Sequence, residues 1–178
     1  MIMVELVDEA GTPTGEAEKL AAHVAPGRLH RAFSVFLFDA EGRMLLQRRA
    51  DGKYHSPGVL SNACCGHPLV GEDPAVSAAR RTVEELGVEP PELTPAGTVT
   101  YHLELADAMT EREYNHLFVG RLTGACRPDP AEVSEVRFVT RPELEALGAD
   151  ALSRWFPVVW AAASAALPAD LATWRPAP

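Results

Sequence analysis

Positive charge is in short supply: the 178-residue chain carries 16 Lys and Arg against 25 Asp and Glu, a formal net charge of −9. Nucleic-acid backbones are bound by clustered cations, so this deficit argues against a nucleic-acid partner. Any phosphate site must be a local positive pocket on an acidic protein. Cysteine is scarce too. Three residues, two of them the adjacent Cys64 and Cys65, make no disulfide framework and point to a reducing compartment. Met1-Ile-Met-Val-Glu lacks the charged and apolar regions of a secretory leader. The longest near-apolar run, Phe156 to Leu167, is too short to span a bilayer. These absences set the expectation of a soluble cytoplasmic protein with no nucleic-acid or membrane partner, monomeric or homodimeric. What is present is 47% apolar content, enough to bury a core as a single domain over residues 1–178. Its core is expected over about 5–167, and the proline-rich tail 168–178 is expected to fray.

Ile2 to Val7 alternates as a first strand, followed by turn signals from Asp8 through Thr12-Pro13 and Thr14-Gly15. Lys19 and His23 come next; singly, a lysine is ordinary surface and a histidine is more often structural. Leu29 to Phe38 reads as a strand covered on both faces and headed by His30. Asp39 to Gly42 turns the chain into a returning strand from Met44, which delivers Arg48 and Arg49 with Lys53 four residues later. Such a basic trio is a solvated edge or a phosphate collar. Tyr54 to Asn62 reads as loop. Further strands are expected over Thr98 to Leu105, with Tyr101, and over Thr110 to Gly120 and Val133 to Val139. Glu111 and Glu113 leave their strand on the same face. If that face is buried, two adjacent carboxylates need compensation, which a metal would provide; an exposed strand end needs none. Thr140 to Glu143 is a capping box opening a short helix. Asp150 is placed to cap a second helix carrying Trp155, with Pro157 breaking or restarting it and an apolar helix running to Leu167.

The stretch Ser61 to Val88 organises the chain. Asp73 is suited to an N-cap, Pro74 to the first helical position and Gly87 to a left-handed C-terminal turn, which predicts a helix from Pro74 to Leu86. Ala75, Val76, Ala79, Val83 and Leu86 form its expected buried stripe. Arg81 and Glu85 then stack one turn apart. As an exposed pair they contribute about 0.3 to 0.5 kcal/mol. Beside a diphosphate they suit a different task, a guanidinium on phosphate oxygen and a carboxylate on Mg²⁺. Collecting the outliers gives His23, His30, His67, Glu111 and Glu113 as candidate metal ligands, with Cys65 two residues from His67. Three imidazoles and two carboxylates suit Mn²⁺, Mg²⁺ or Zn²⁺ better than a tetrahedral thiolate site would.

The run from Gly66 through Glu72 and Arg80 to Val88 resembles the Nudix box, except that Arg81 stands where a glutamate is usual and Thr82 where an aliphatic residue is usual. The stretches ending at His23, around His30, from Arg48 to Lys53, from Ser61, through the box and at Glu111 together resemble the type I isopentenyl-diphosphate isomerases, from about Glu5 to Leu167. This resemblance implies a Nudix fold of the α+β, α-β-α sandwich class, with a mixed sheet flanked by helices and a C-terminal helical elaboration. It implies Cys65 and Glu113 as the catalytic pair with Tyr101 beside the glutamate, and His23, His30, His67, Glu111 and Glu113 as ligands of one metal. A second ion, Mg²⁺ held with the diphosphate, would use Glu85 and the backbone carbonyl of Cys65. Lys19, Arg49, Lys53 and Arg81 match the substrate-binding positions and Trp155 the tryptophan facing the isoprenyl carbon. Leu60 and Arg154 depart locally from the family pattern.

The implied reaction moves the double bond of isopentenyl diphosphate to give dimethylallyl diphosphate. It adds a proton to C4 and removes one from C2, with positive charge at C3 between the steps. Cys65 as thiolate would take one proton and Glu113 supply the other, each worth about 10² to 10⁴-fold. The alternatives are a Nudix-type nucleoside diphosphate hydrolase, disfavoured by Arg81, and a catalytically silent metal-stabilised binding domain, which would leave Cys65, Glu113 and Tyr101 together for no structural reason.

Overall fold

The structure, a computed structural model, describes residues 2–53, 56–106 and 108–174. In chain order it contains β1 (Met3–Val7), β2 (Pro13–Glu18), α1 (Lys19–His23), β3 (His30–Phe38), β4 (Met44–Arg49), β5 (Leu60–Ser61), β6 (Cys64–Gly66), α2 (Pro74–Leu86), β7 (Leu93–Glu104), β8 (Thr110–Arg121), β9 (Val133–Val139), α3 (Arg141–Glu145) and α4 (Phe156–Ser164). The strands belong to one mixed sheet. β3 and β8 run parallel at its centre, in register from His30 opposite Glu113 to Phe38 opposite Arg121. β7 pairs antiparallel with β8, putting Tyr101 opposite Glu113. β6 lies antiparallel on the other edge of β3, with Cys65 opposite Ser34.

Alternation sends β3 side chains to two cores, so the nine-residue strand is apolar almost throughout. Phe33, Val35 and Leu37 join Ala78 and Leu86 of α2 on one face. Phe36 and Phe38 meet Leu117, Val119, Trp155, Phe156 and Val159 on the other. No helix among the described residues is long and apolar enough to cross a membrane.

Helix α2 has the bounds its capping signals predict: Asp73 accepts the Ala75 N–H at 2.8 Å, and Gly87 closes the helix at φ 58°. A Cβ on Gly87 would stand 2.1 Å from the Arg127 carbonyl oxygen, so both the backbone angle and the space require glycine. The buried face of α2 differs from the apolar stripe. Ser77, Ala78, Thr82, Glu85 and Leu86 are buried, whereas Val76 is 59% exposed and Ala75, Ala79 and Val83 are only partly covered. Small residues let the helix approach the sheet closely, and the Thr82 hydroxyl donates to the Ala78 carbonyl at 2.7 Å, so little polarity is left unsatisfied. The rotation carries Glu85 inward.

Other expectations need correction. Thr12 to Gly15 is not simply a turn, because Pro13 begins β2, which folds back on β1. The Lys19–His23 helix, one turn capped by Glu18, carries no apolar period long enough to be read. The β3–β4 hairpin pairs only at Phe38 and Met44; β6 then takes the edge of β3, while β4 pairs with β5 and β9. Leu60 and Ser61, expected as loop, form β5, and Tyr54 and His55 lie outside the described residues. β7 begins at Leu93, five residues earlier than expected, because a bulge between Pro95 and Thr98 absorbs the Pro and Gly. Asp150 belongs to a single 3₁₀ turn, Ala149–Ala151, and Trp155 stands at the N-cap of α4 rather than inside a helix. The tail is packed through Trp174: Leu171 and Trp174 are buried, and the Trp174 indole N–H donates to the Gly42 carbonyl at 2.8 Å. Residues 175–178 lie outside the described residues.

Candidate active site

A cleft of about 530 Å³ opens where the sheet's central row meets the C-terminal end of α2. Its floor follows from the register. Glu113 has His30 on one flank and Tyr101 on the other, because β8 pairs parallel with β3 and antiparallel with β7. His67 follows β6, and His23 ends α1 over the same place.

The three imidazole centroids lie 4.6, 4.8 and 5.1 Å apart. One atom from each of His23, His30, His67 and Glu113 falls within 4.8 Å of the others. His23 Nδ1 lies 2.7 Å from the Lys19 carbonyl and His30 Nδ1 2.7 Å from that of Arg28, so each Nδ1 donates and each ring turns its Nε2 inward. His30 Nε2 makes no hydrogen bond among the described residues and lies 3.8 Å from Glu113 Oε1. A buried acceptor aimed at other acceptors is costly without a cation, so this donor set fits a divalent metal. Glu111 stands outside the group of mutually close donors but reaches it through His23, Oε2 to Nε2 at 3.5 Å. It is 4% exposed and Glu113 6%, which removes the exposed-strand-end reading. Burial holds the His30 imidazolium down to about 4 and holds that of His67 well below its ordinary value; nearby imidazoles add to both effects.

Glu113 is held by neighbours on both oxygens. The Tyr101 hydroxyl and the Asn115 amide, at 3.0 Å, donate to Oε2, while His67 Nε2 lies 3.0 Å from Oε1. Burial raises its carboxyl well above the usual range, and the Glu111 charge raises it further. Tyr101 is likewise pushed up by burial and by Glu113. Across the cleft, Cys65 Sγ donates to Asn62 Oδ1 at 3.1 Å and lies 3.6 Å from Ser34 Oγ. Burial pushes the Cys65 thiol up to about 11, against the lowering effect of its hydrogen bonds to Ser34, Asn62 and Trp155. The thiolate expected from sequence is therefore disfavoured in the ligand-free cleft. Cys64 points into the opposite core and is fully buried.

The rim is basic. Lys19, Arg49, Lys53 and Arg81 all line the cleft, with Glu85 and Trp155. Desolvation lowers the pKa of both Lys19 and Lys53, and Arg49 and Arg81 lower it further. The Arg49 guanidinium lies over the Trp155 ring, 5.3 Å from its centroid, and its Nε donates to the Ser56 carbonyl at 3.1 Å. Arg81 donates to Glu84 at 2.6 Å and to Glu85 at 2.7 Å; Glu85 is buried, so this pair is not a solvated one. Gln47 donates to Glu85 at 3.3 Å and to the Ala63 carbonyl at 3.1 Å. The box loop is braced by Glu72, which accepts from Arg80 at 3.0 and 3.1 Å and from the Leu69 N–H at 2.9 Å.

The structure thus gathers the candidate catalytic, metal-ligating and substrate-binding residues around one cleft, except that Arg48 of the basic trio does not line it and instead pairs with Glu135 and the Gly58 carbonyl. It adds Asn62, Ser34, Gln47, Asn115 and Glu132, ordinary polar residues without a spacing signal. One compositional signal was available: Lys19 and Lys53 are the only lysines in the chain, and both line the cleft.

The sequence matches the NUDIX domain family over residues 28–159. A protein of Streptomyces griseus named isopentenyl-diphosphate Delta-isomerase is 62% identical over 168 residues, covering 93% of this chain and 85% of that protein. Proteins of the same name from Streptomyces coelicolor and Burkholderia multivorans are 59% and 44% identical, covering 93% and 85% of this chain and 85% and 86% of their own lengths. Among solved structures, DR0079 from Deinococcus radiodurans superposes with a TM-score of 0.66 at 22% identity, covering 81% of this chain and 86% of that one. The NUDIX domain of Shewanella oneidensis NrtR, solved with ADP ribose, gives 0.58 at 17% identity, covering 80% and 89%. These two show the fold alone. With a NUDIX match across most of its length and relatives of this identity and coverage, the chain belongs to the isopentenyl-diphosphate Delta-isomerase family, on a Nudix fold.

Proposed function

We propose that the protein interconverts isopentenyl diphosphate and dimethylallyl diphosphate. The observation that carries this reading is one cleft holding a thiol, a buried carboxyl bonded to a tyrosine, and a rim of four cations. The cations bind the diphosphate and aim the five-carbon chain between Cys65 and Glu113. Glu113, whose carboxyl is raised by burial and by the Glu111 charge, gives a proton to C4 as the C3–C4 π electrons form the new C–H bond. Positive charge then rests on C3, near the Trp155 indole, where a dry cation–π contact contributes about 2 kcal/mol. Cys65 takes the proton from C2, whose C–H electrons form the C2–C3 double bond. The pair ends as carboxylate and thiol, so a proton must return from Cys65 to Glu113 before the next turnover. Burial disfavours the thiolate, so the active pair shares one proton: the thiol proton passes to the Glu113 carboxylate, and this transfer leaves Cys65 as the base in the occupied cleft.

His23, His30, His67 and Glu113, with Glu111 beside them, would hold one divalent ion, Mn²⁺, Zn²⁺ or Mg²⁺. Glu85 and the Cys65 carbonyl would hold Mg²⁺ with the diphosphate. Bound there, the ions supply charge neutralisation for the diphosphate and tune the acidity of Glu113. The second reading, nucleoside diphosphate hydrolysis, is opposed by Arg81, which sets a cation where the box carries a carboxylate. Incubation of metal-loaded protein with isopentenyl diphosphate, and separately with a nucleotide panel, decides between them. Allylic product is expected from the first and no hydrolysis from the second; faster nucleotide hydrolysis than isomerisation would overturn the proposal.

A further inference from the structure

Glu132 is an acidic residue on a basic rim. It precedes β9 and lines the cleft with Lys53 and Arg81, to both of which it is ion-paired: one carboxylate oxygen contacts Lys53 and the other lies 3.2 Å from the Arg81 NH2. Its backbone is fixed at both groups. The Glu132 carbonyl accepts from the Ala50 N–H at 3.1 Å, and its own N–H donates to the Asp129 carbonyl at 3.0 Å. Asp129 in turn donates its N–H to the Glu85 carbonyl at 2.9 Å, and the Arg127 N–H donates to the Leu86 carbonyl at 2.8 Å. The 127–132 segment is therefore strapped to the end of α2 and to the exit of β4, the two elements that present Arg81 and Lys53.

Arg81 shows why a second carboxylate is useful. Its NH2 is shared between Glu85 at 2.7 Å and Glu132 at 3.2 Å. When Glu85 turns to an ion, that nitrogen keeps only Glu132 as its carboxylate, while the other terminal nitrogen of Arg81 stays on Glu84 at 2.6 Å, away from Lys53. We infer that Glu132 is a positioning residue for diphosphate recognition, one carboxylate that holds Lys53 and Arg81 together at the rim so that their remaining N–H groups meet the phosphate oxygens pre-aimed. Preorganised donors gain affinity because the ordering cost is met before the ligand arrives. Glu132 does not touch the reacting carbons, so its effect falls on binding and not on proton transfer.

This inference rests on the isomerase reading, and the experiment separates the two. Metal-loaded wild type, Glu132→Gln, Glu132→Asp, Lys53→Gln and the Glu132→Gln/Lys53→Gln double variant are compared in steady state on isopentenyl diphosphate and by calorimetry with inorganic diphosphate and Mg²⁺. Glu132→Gln should raise KM about tenfold and weaken diphosphate binding in proportion, with kcat changed less than about threefold. Lys53→Gln should cost less in the Glu132→Gln background than alone, as coupled neighbours do. Melting temperature and tightly held metal report on the fold. If Glu132→Gln melts early, Glu132→Asp is read instead; it keeps the charge but reaches one cation at a time, and should lie between wild type and Gln. Unchanged or tighter diphosphate binding in Glu132→Gln, or additive costs in the double variant, would overturn the inference while wild-type isomerisation stands. Absence of wild-type isomerisation would overturn the isomerase reading itself.

Discussion

The two walls of the cleft are built on opposite principles. The inner wall, His23, His30, Glu111 and Glu113 with Tyr101, sits on strand register and a short helix, buried to within a few per cent. Its groups are pushed toward their neutral forms: His30 and His67 down, Glu113 and Tyr101 up. On the rim, Lys53, Arg81 and Glu132 are partly exposed, carried on loops and a helix end, and ion-paired to one another. Desolvation therefore favours proton exchange where the carbon chain would lie, and ion pairing orders the charged groups where the diphosphate would lie. An acidic chain can still offer an anion a local positive site, because both of its lysines line this cleft together with Arg49 and Arg81.

The strongest way to break this contrast is at Cys65, the thiol that faces the inner wall across the cleft. Cys65→Ala and Cys65→Ser should each lose isomerase activity by about 10³-fold with the fold intact, since a hydroxyl is a far weaker base than a thiolate. Cys64→Ala, on the opposite face of the same strand, should retain it. Near wild-type turnover by Cys65→Ala would refute the assignment.

Metal content tests the inner wall itself. Purified protein should hold about one divalent ion per chain, and His67→Ala or Glu111→Gln should lower occupancy, by about 10- to 100-fold in affinity. Elemental analysis showing no metal in active, chelator-free protein would remove the site.

At the rim, Arg81→Glu should weaken isopentenyl diphosphate affinity by about 10- to 100-fold, because it sets a carboxylate beside Glu85 and the substrate phosphates. Arg81→Lys should cost less, keeping the charge and losing the planar fork. Neither should hydrolyse nucleotides. Unaltered isomerisation by Arg81→Glu would mean that the box has been misread.

Proton uptake separates the walls more gently. In metal-stripped protein His30 titrates near 4 rather than 6.5, so the unfolded state binds more protons between those values and stability should fall as pH drops from about 6.5 toward 4. His67 adds in the same direction. Glu113 opposes them, because its raised carboxyl takes a proton in the folded state first. Two imidazoles against one carboxyl leave a net loss of stability as pH falls, readable from denaturant midpoints. Metal loading should reduce the loss while the ion stays bound, and a flat profile in stripped protein would contradict the burial argument.

The smallest expected effect is outside the cleft. Val76→Ser on α2 should change stability by no more than about 0.5 kcal/mol, because Val76 is 59% exposed. A cost of several kcal/mol would restore the apolar stripe as the packed face.

The sequence by itself determined what local chemistry can determine. Asp73, Pro74 and Gly87 mark the ends of α2 because capping is a matter of a few neighbouring residues. The two-sided burial of β3 and the shared face of Glu111 and Glu113 follow from alternation. The chemistry-bearing residues stood out because their types are costly to bury without a task. The packed face of α2 was not legible, since a helix seats the residues that fit against the sheet, and here these are small or polar ones with their own partners. Nor was the ordered tail, which Trp174 anchors against Gly42, 132 residues away in sequence. Only the tertiary structure decided that His30, Glu113 and Tyr101 share one row and that Glu132 joins Lys53 to Arg81. Strand register and loop strapping are settled by contacts between distant segments, and no local pattern in the chain encodes which residues will stand opposite one another.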